Sequence, residues 1–547
     1  MVKIGPAFGD YIRLEKSQRH QSFGKTYEAR GFLLPVILVT ALVLILARLI
    51  FLQVLKGSDY RALSDNNRTK TIAIHAPRGI IFDRDGIPLV FNAPGFREVP
   101  GDTSSSTDTD INVKLIDKNQ ALKFISAGKT NLEIDSLRNY PYKELFAHVL
   151  GYIGQISRDE LEQKEFSGYK GGDLIGKIGI EREYERLLRG INGKELVEIN
   201  SMGRTIRKLG QTDPIPGQNI TLTLDVALQK AAFDAAKDIK KGAVIASNPF
   251  GEILAFVSKP SFDSNLFTMG EGYIVSEEME YKNIGQILSD SENQPLLNRA
   301  IGGTYPPGST FKLITAAAGL EEKVIDKNFT VEDTGILRVG AFSFGNWYFM
   351  QYGKTEQERV NVVRGIKRSN DIFFYKVAEL VGVDNLSKFA VKFGLGNKLG
   401  IDLPGEEKGL VPTPNWKKRT IGENWYLGDT YHYGIGQGYL LVTPLQVNMW
   451  TSVIANDGIL YQPRLIKNTT NTTNKSSTFF LRGIEPTQKK KPPNPRSKLR
   501  GFKKVLDKPI RKNFLSQKTI SLVRQGMIES CSTGGVAWPL FEFKVKS

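Results

Sequence analysis

The chain has 547 residues, of which 40% are hydrophobic and 24% are charged, a composition typical of a folded protein with two or three domains. Its net charge of +17 fits a protein that works beside an anionic membrane or polymer, and no nucleic-acid partner is expected from charge alone. The single cysteine, Cys531, excludes a disulfide framework within the chain and any zinc site built on paired cysteines. The histidines His20, His75, His148 and His432 are too scattered to form a local metal-binding motif.

One long apolar run stands near the N-terminus. Residues 32–55 read FLLPVILVTALVLILARLIFLQVL, and because a bilayer requires about 20 apolar residues in a helix, we predict a transmembrane helix here. A soluble core helix and a cleaved signal peptide are the alternatives, but a signal peptide has a shorter apolar core and a small-residue cleavage site, whereas polar KGSD follows from Lys56. Lysines and arginines are spread through residues 1–31, which predicts a cytoplasmic tail there and an extracytoplasmic position for everything after the helix.

Residues 56–215 mix short strands, turns and helices, which predicts an α+β domain that stands on the membrane. The strand-like segments are Thr71–Ile74, Ile80–Phe82 and Pro88–Phe91, and the helical segments are Lys143–Leu150 and Ile180–Leu188. The polar run GDTSSSTDTD at 101–110 is typical of a loop.

A second domain is predicted at residues 216–547. It begins with a strand that runs into an amphipathic helix, and a β-hairpin follows at 242–259, where two apolar runs flank a tight turn. Further helices are predicted at Ser309–Glu322 and Ile372–Val381. The insert at 467–500 is rich in Asn, Thr, Lys and Pro, which cannot bury a core, so we predict that it is disordered.

The stretch YPPGSTFKLITAAAGL, residues 305–320, places a serine and a lysine three residues apart in an apolar helix. The Pro-Pro-Gly sequence cannot continue a helix, so Ser309 lies near the helix start, and Lys312 lies one turn later on the same face. Burial lowers the pKa of a lysine, and the helix start offers N–H groups to an oxyanion, so the pair predicts an activated serine nucleophile. The alternative is a serine that caps the helix beside a lysine that reaches solvent, because this spacing alone is common by chance.

The surrounding residues resemble one family. NRAIGGTYPPGSTFK at 298–312 is similar to the first motif of class B penicillin-binding proteins of the elongation type. Four more segments match in the correct order, namely APRGIIFDRDGIPLV at 76–90, GKIGIEREYERLLRGINGK at 176–194, GAVIASNPFGEILAFVSKPSFDSN at 242–265 and GIGQGYLLVTPLQ at 434–446. The resemblance implies a single-pass membrane anchor, an α+β pedestal domain and an α/β penicillin-binding transpeptidase domain with an antiparallel sheet flanked by helices.

The family's second motif is similar to RSNDIFFY at 368–375, which contributes Ser369 and Asp371; the alternative is that Ser369 only caps the helix that follows. By resemblance, Ser309 attacks the carbonyl between the two D-alanines that end a peptidoglycan stem peptide, and Lys312 takes its proton. Ser369 then relays a proton toward the leaving amine, and Asp371 orients the network. The resemblance also implies binding of penicillin and other beta-lactams, a place in the bacterial cytoplasmic membrane, and a membrane glycosyltransferase of the elongation machinery as partner.

Two departures from the family pattern change these expectations. Some relatives carry a zinc site of Asp, His and Cys between the first two motifs, but residues 313–368 contain no His and no Cys, so we expect no metal and no other cofactor. The third motif, Lys-Thr-Gly or Lys-Ser-Gly, does not occur in this sequence, and Ser532-Thr533-Gly534 resembles an earlier glycine loop instead. The last sheet strands are therefore expected to be missing, either because the sequence is incomplete or because the chain is a non-catalytic, truncated scaffold for cell-wall synthesis.

Overall fold

The computed structural model describes residues 28–98, 113–127, 132–200, 205–270, 273–470, 508–537 and 539, with the side chains of 28–33, 62–67 and 468–470 left aside. The predicted loop at 101–110 and most of the predicted insert at 467–500 lie outside these residues.

The described strands follow one another along the whole chain. They are β1 (Thr69–Ile74), β2 (Ile81–Phe82), β3 (Pro88–Glu98), β4 (Lys114–Ile116), β5 (Leu132–Asn139), β6 (Ile153–Gln155), β7 (Leu174–Gly176), β8 (Gly193–Ile199), β9 (Thr205–Thr212), β10 (Asn219–Leu222), β11 (Gly242–Ser247), β12 (Ile253–Lys259), β13 (Ile336–Val339), β14 (Phe342–Gly345), β15 (Leu460–Tyr461), β16 (Ile466–Thr470) and β17 (Pro509–Arg511).

The described α-helices are found in both halves of the chain. They are α1 (Glu28–Ile50), α2 (Gly57–Arg68), α3 (Lys118–Ser126), α4 (Ala147–Leu150), α5 (Arg158–Leu161), α6 (Gly179–Glu183), α7 (Glu185–Leu188), α8 (Val226–Ala235), α9 (Ile284–Ser289), α10 (Lys312–Glu321), α11 (Trp347–Tyr352), α12 (Val362–Arg368), α13 (Asp371–Val381), α14 (Val383–Lys392), α15 (Pro414–Thr420), α16 (Leu427–Gly434), α17 (Pro444–Ala455) and α18 (Gln517–Ser530).

The chain divides into two compact units. The first takes its residues from Met1–Ile72 and Glu195–Gln211, and the second from Ala73–Lys194 and Thr212–Ser547. In the first unit the apolar helix Leu34–Leu55 has 22 residues, so at 1.5 Å per residue it measures about 33 Å, close to the ~30 Å of a bilayer core. None of its apolar window is buried inside the protein. This helix fits the predicted single-pass anchor.

The largest sheet of the second unit has the strand order β16-β10-β2-β3-β4, and β5 pairs with β3. β10 and β2 are parallel, and the other pairs are antiparallel. The sheet joins strands from both sides of residue 216, and the predicted domain boundary there stays a prediction. β3 runs to Glu98, well past its predicted end at Phe91, because the whole stretch pairs with β5. Pro94 and Gly95 lie inside β3 although both residue types disfavour strand interiors, and the partner strand that compensates for them is not visible in the sequence.

Three other predicted elements differ from the structure. The predicted helix 180–188 is two short helices, α6 and α7, that meet at Tyr184. The predicted helix 143–150 begins as a 3-10 turn at Lys143–Phe146 before α4. The start of the predicted disordered insert is wrong, because residues 467–470 belong to β16, which pairs with β10; backbone pairing holds this polar segment without needing apolar side chains.

The predicted hairpin at 242–259 is confirmed as β11 and β12, whose register runs from Gly242 opposite Lys259 to Ser247 opposite Ile253. Helix α8 packs on β12, and α17 packs on β11, so helices flank this sheet. Helix α10 lies in the core of the second unit, where Ile314 of the helix and Phe311, which directly precedes it, are fully buried. The helix that contains Lys312 is therefore also part of the hydrophobic core.

A buried ionic network joins the two segments, 76–90 and 176–194, that resemble the family in the first half of the chain. Nη2 of Arg78 donates to Oε2 of Glu181 at 2.8 Å and to Oε2 of Glu185 at 2.7 Å, and Nε of Arg138 donates to Oε1 of Glu181 at 2.6 Å. Burial would raise the pKa of Glu181, but the guanidinium groups of Arg138 and Arg78 hold it below its ordinary value. These charges are satisfied only as a set, so each depends on the others.

Candidate active site

The Ser309 loop, residues 305–311, is held in place by backbone bonds to residues 436–442. Tyr305 and Val442 exchange two backbone hydrogen bonds, of 2.8 and 2.9 Å, and the Gly308 N–H donates to the Gly436 carbonyl at 2.8 Å. The predicted helix after this loop is confirmed, but its first turn, Gly308–Phe311, is a 3-10 helix, and the α-helix starts at Lys312. The Lys312 N–H donates to the Ser309 carbonyl, and this bond fixes the Ser309 backbone one turn before Lys312.

Lys312 is buried, with 2% of its surface exposed, so it does not reach solvent as the alternative interpretation required. Its Nζ donates to Oδ1 of Asp371 at 2.6 Å, to Oγ of Ser369 at 3.0 Å and to the Ser369 carbonyl at 2.8 Å. Burial lowers the pKa of Lys312, and the Asp371 carboxylate opposes that effect without reversing it. A buried lysine with a lowered pKa can exchange a proton near neutral pH, which a solvent-exposed lysine cannot do efficiently.

Ser369 has a left-handed backbone, with φ 49° and ψ 43°, at the end of α12. This conformation is uncommon for a residue with a side chain. It turns both the carbonyl and the hydroxyl of Ser369 to Lys312. The helix that follows is capped by Asn370, whose Oδ1 accepts from the Phe373 N–H at 2.9 Å, so the interpretation of Ser369 as a helix cap is wrong.

Asp371 is held by two hydrogen bonds to the N-terminal end of α11. Its Oδ2 accepts from the Trp347 N–H at 2.8 Å, and its own N–H donates to Oδ1 of Asn346 at 3.2 Å. Its Oδ1 receives Lys312. The carboxylate therefore has donors at both oxygens, which defines the orientation that it offers to Lys312.

The structure thus brings three of the four predicted site residues into direct contact, namely Lys312, Ser369 and Asp371. The fourth, Ser309, lies at the surface one turn before Lys312, and its hydroxyl makes no hydrogen bond to the residues that the structure describes. An exposed hydroxyl next to a buried amine suits a nucleophile that must meet a substrate from solvent.

Two residues behind this site were not predicted. Asp333 and Asn346 are buried and hydrogen-bonded to each other and, through Asn370 and Asp371, to the second motif. The segment that holds them, 313–368, contains no His and no Cys, so it carries no pattern of metal ligands in the sequence. The one available signal was Asn370, because an amide between two predicted site residues needs polar partners once it is buried.

The site offers no obvious set of metal ligands. Across the described ranges, with their gaps, no group of three or more His, Cys, Asp and Glu side chains could hold a metal ion. The expected absence of a metal stays a prediction.

Gly436 lies against the Ser309 loop and has a φ of 76°. A Cβ at this position would lie 2.1 Å from the Gly308 carbonyl oxygen. We expect Gly436→Ala to lower the free energy of unfolding by about 3 kcal/mol, because strain at positive φ adds to a backbone collision. Gly438→Ala is the matched control, since its φ is 72° but its Cβ would have ordinary contact, at 3.4 Å from Cβ of His432.

Urea unfolding of both variants, followed by tryptophan fluorescence, tests this pair. The control is expected to lose about 1 kcal/mol from the left-handed backbone alone. Equal losses in the two variants would show that the contact with Gly308 contributes nothing.

Two family models match the chain. A penicillin-binding protein dimerisation domain matches residues 110–222, and a penicillin binding protein transpeptidase domain matches residues 242–541. The chain is 34% identical over 486 residues to the peptidoglycan D,D-transpeptidase MrdA of Acinetobacter baumannii. The aligned region covers 81% of this chain and 70% of that protein.

Two solved assemblies are similar in fold. One is the complex between PBP2 and MreC from Helicobacter pylori, with TM-score 0.64 and 28% identity, covering 86% of each chain. The other is a peptidoglycan synthase complex that coordinates polymerization and crosslinking, with TM-score 0.63 and 29% identity, covering 94% of this chain and 87% of that one. The transpeptidase model alone spans more than half of the sequence. The chain therefore belongs to the penicillin-binding protein transpeptidase family, among the relatives of MrdA and PBP2.

Proposed function

We propose that this chain is a membrane-anchored peptidoglycan D,D-transpeptidase that forms an acyl-enzyme on Ser309 and acts in cell elongation and shape. The observation that carries the proposal is the buried amine of Lys312, one turn after an exposed serine and 3.0 Å from the hydroxyl of Ser369. Family membership supports the reaction class, and the chain's own contacts support the roles of the residues.

In the first half-reaction, Oγ of Ser309 attacks the carbonyl carbon of the penultimate D-alanine of a stem peptide. Neutral Lys312 takes the hydroxyl proton, and a tetrahedral oxyanion forms. The C–N bond to the terminal D-alanine then breaks, and the leaving amine takes a proton that passes from Lys312 through the Ser369 hydroxyl. The products are the Ser309 ester and free D-alanine, so atoms and protons balance.

In the second half-reaction, an amine of a neighbouring stem peptide attacks the Ser309 ester. The amine gives up one proton along the same path, and the C–O bond to Ser309 breaks. The new amide is the cross-link, and Ser309 is restored with its proton. A beta-lactam would enter the first half-reaction in the same way and leave a stable ester, because its opened ring stays attached.

Asp371 orients this proton path. Its carboxylate accepts from Nζ of Lys312 at 2.6 Å, and this hydrogen bond helps to hold Nζ at 3.0 Å from the Ser369 hydroxyl. The lowered pKa of Lys312 supports its role as a base, since burial keeps a fraction of the amine neutral near pH 7.

The apolar helix Leu34–Leu55 would hold the protein in the bacterial cytoplasmic membrane, with the basic residues 1–31 inside and the catalytic part outside. A membrane glycosyltransferase is the proposed partner. The fold is shared with a synthase complex that couples polymerization to crosslinking and with a PBP2 that binds MreC, which supports work inside such an assembly.

Labelling of the full-length protein with a penicillin tests the proposal. After digestion with trypsin, the peptide Ala300–Lys312 contains Ser309 as its one serine, and fragmentation by mass spectrometry separates Ser309 from Thr310. We expect one penicillin adduct per chain, on Ser309. An adduct on another residue would overturn the assignment, and no adduct at all would favour the non-catalytic scaffold.

A further inference from the structure

Asp333 is the most connected carboxylate behind the proposed site. Its Oδ2 accepts from Nδ2 of Asn346 at 2.8 Å, from Nδ2 of Asn370 at 2.9 Å and from the Glu356 N–H at 3.0 Å. Its Oδ1 accepts from the Gly335 N–H at 2.9 Å. All four partners are donors, so the geometry suits an ionised carboxylate, which accepts only.

Both asparagines link Asp333 to the backbone of the second motif by hydrogen bonds. Oδ1 of Asn346 accepts from the Asp371 N–H at 3.2 Å, and Oδ1 of Asn370 accepts from the Phe373 N–H at 2.9 Å in the first turn of α13. Asn346 is also held by its own N–H, which donates to the Gly335 carbonyl at 2.8 Å. Each amide thus has its Nδ2 on Asp333 and its Oδ1 on the backbone at the start of α13, so Asp333 sets which way both amides face.

We propose that Asp333 is a positioning residue for the acyl transfer, acting through Asn346 and Asn370 on Asp371 and so on Lys312. The inference rests on the proposed function. No bond joins Asp333 directly to Lys312 or Ser369 among the described contacts, so its effect must pass through the two amides.

The charged neighbours of this arrangement are few and paired. Nζ of Lys312 faces Asp371, and its other contacts are Ser369 and the ring of Phe374, whose centroid lies 5.7 Å away. Beside Asp333, the carboxylate of Glu356 is already bound by Arg364 and Arg368. The electrostatic setting of Lys312 therefore depends on where Asp371 is held.

Asp333→Asn reverses part of the donor pattern at this point. If the new amide keeps its oxygen at the position of Oδ2, it sets its NH2 group against the Gly335 N–H. Gly335 is then displaced, and because its carbonyl holds the Asn346 N–H, Oδ1 of Asn346 shifts from the Asp371 N–H. Asp371 then moves away from Lys312, so its carboxylate stabilises the protonated lysine less. We expect the plateau rate of acylation by a penicillin to fall about 10- to 100-fold. We also expect the acid midpoint of the rate–pH profile, below which Lys312 keeps its proton, to move down by about one pH unit.

The measurement is the rate of acylation of full-length protein across pH 4 to 9, with the labelled fraction and the Tm recorded for each variant. Asp326→Asn is the matched control, since Asp326 also accepts two backbone N–H groups, at 2.8 and 2.9 Å, but has no link to Asp371. Its midpoint and rate are expected to equal those of the unmodified protein. If Asp333→Asn fails to fold, Asn346→Ala breaks the same path and is expected to lower the midpoint likewise.

A variant that is slower but keeps the unmodified midpoint would overturn the inference, because Asp333 would then serve the fold alone. So would a variant with unchanged rate and midpoint. Failure of the unmodified protein to react with penicillin is a different result, and it would count against the proposed function.

Discussion

Replacing Lys312 by methionine is expected to slow acylation of Ser309 by about a thousandfold, which lies within the range that a positioned base contributes. Methionine keeps most of the length of the side chain in the α10 core but cannot take the Ser309 proton. The rate of labelling by a fluorescent penicillin measures the effect, and Ser309→Ala, which has no nucleophile, sets the background. Lys376→Met, a change in a half-buried residue of α13 that pairs with Glu379, is the matched control and should label normally.

The same variant should also lose stability, and a double variant separates the two effects. Lys312→Met leaves the buried Asp371 carboxylate without its cation, at an expected cost of about 3 kcal/mol or more. In Lys312→Met with Asp371→Asn, that uncompensated charge is gone, so most of the stability should return while the rate stays low. A double variant that recovers the rate as well would contradict the role of Lys312 as the base.

Glu181→Gln is expected to lower the free energy of unfolding by about 3 to 5 kcal/mol, although the side chain lies far from Ser309 in sequence. Glu181 has no exposed surface, and its two oxygens bind Arg78 and Arg138. Glutamine carries no charge, so the buried Arg138 guanidinium loses its carboxylate, whereas Arg78 keeps Glu185. The amide also presents an NH2 group to one of the two guanidinium groups.

Urea unfolding of the full-length protein in detergent measures this change. Glu183→Gln is the matched control, because Glu183 lies on the same short helix but is exposed, and its loss should stay within about 0.5 kcal/mol. If the two variants unfold alike, the network does not stabilise the second unit in the way that its geometry indicates.

The elements that sequence reasoning found are the ones with local causes. The hairpin β11–β12 follows from two apolar runs around a tight turn, and the start of the Lys312 helix follows from the Pro-Pro-Gly sequence before it. The contact of Lys312 with Ser369 and Asp371 could be expected only because both motifs resembled one family, since spacing alone does not say which helices meet.

What could not be predicted depends on partners that are distant in the chain. Arg78 and Glu181 are 103 residues apart, and nothing in either segment says that these charges would be buried rather than solvated. Asp333 and Asn346 belong to residue types that are common in surface loops, so their burial behind the site left no pattern to find. The left-handed backbone of Ser369 has a local cause instead, because the N–H groups of Ser369 and Asn370 donate to the carbonyls of Ile366 and Gly365 at the end of α12. Glycine is the usual residue in this conformation, so a serine there gave no signal in the sequence.

The backbone bonds of Tyr305 with Val442 and of Gly308 with Gly436 determine when Ser309 can be held in place during folding. These partners are far apart in sequence, so their pairing closes a long loop and costs more chain entropy than a local contact. A chain whose residues near 442 are not yet in place would hold Ser309 on a segment without these bonds. Under the proposed function, Ser309 would therefore be held for reaction only after most of the second unit has folded around it.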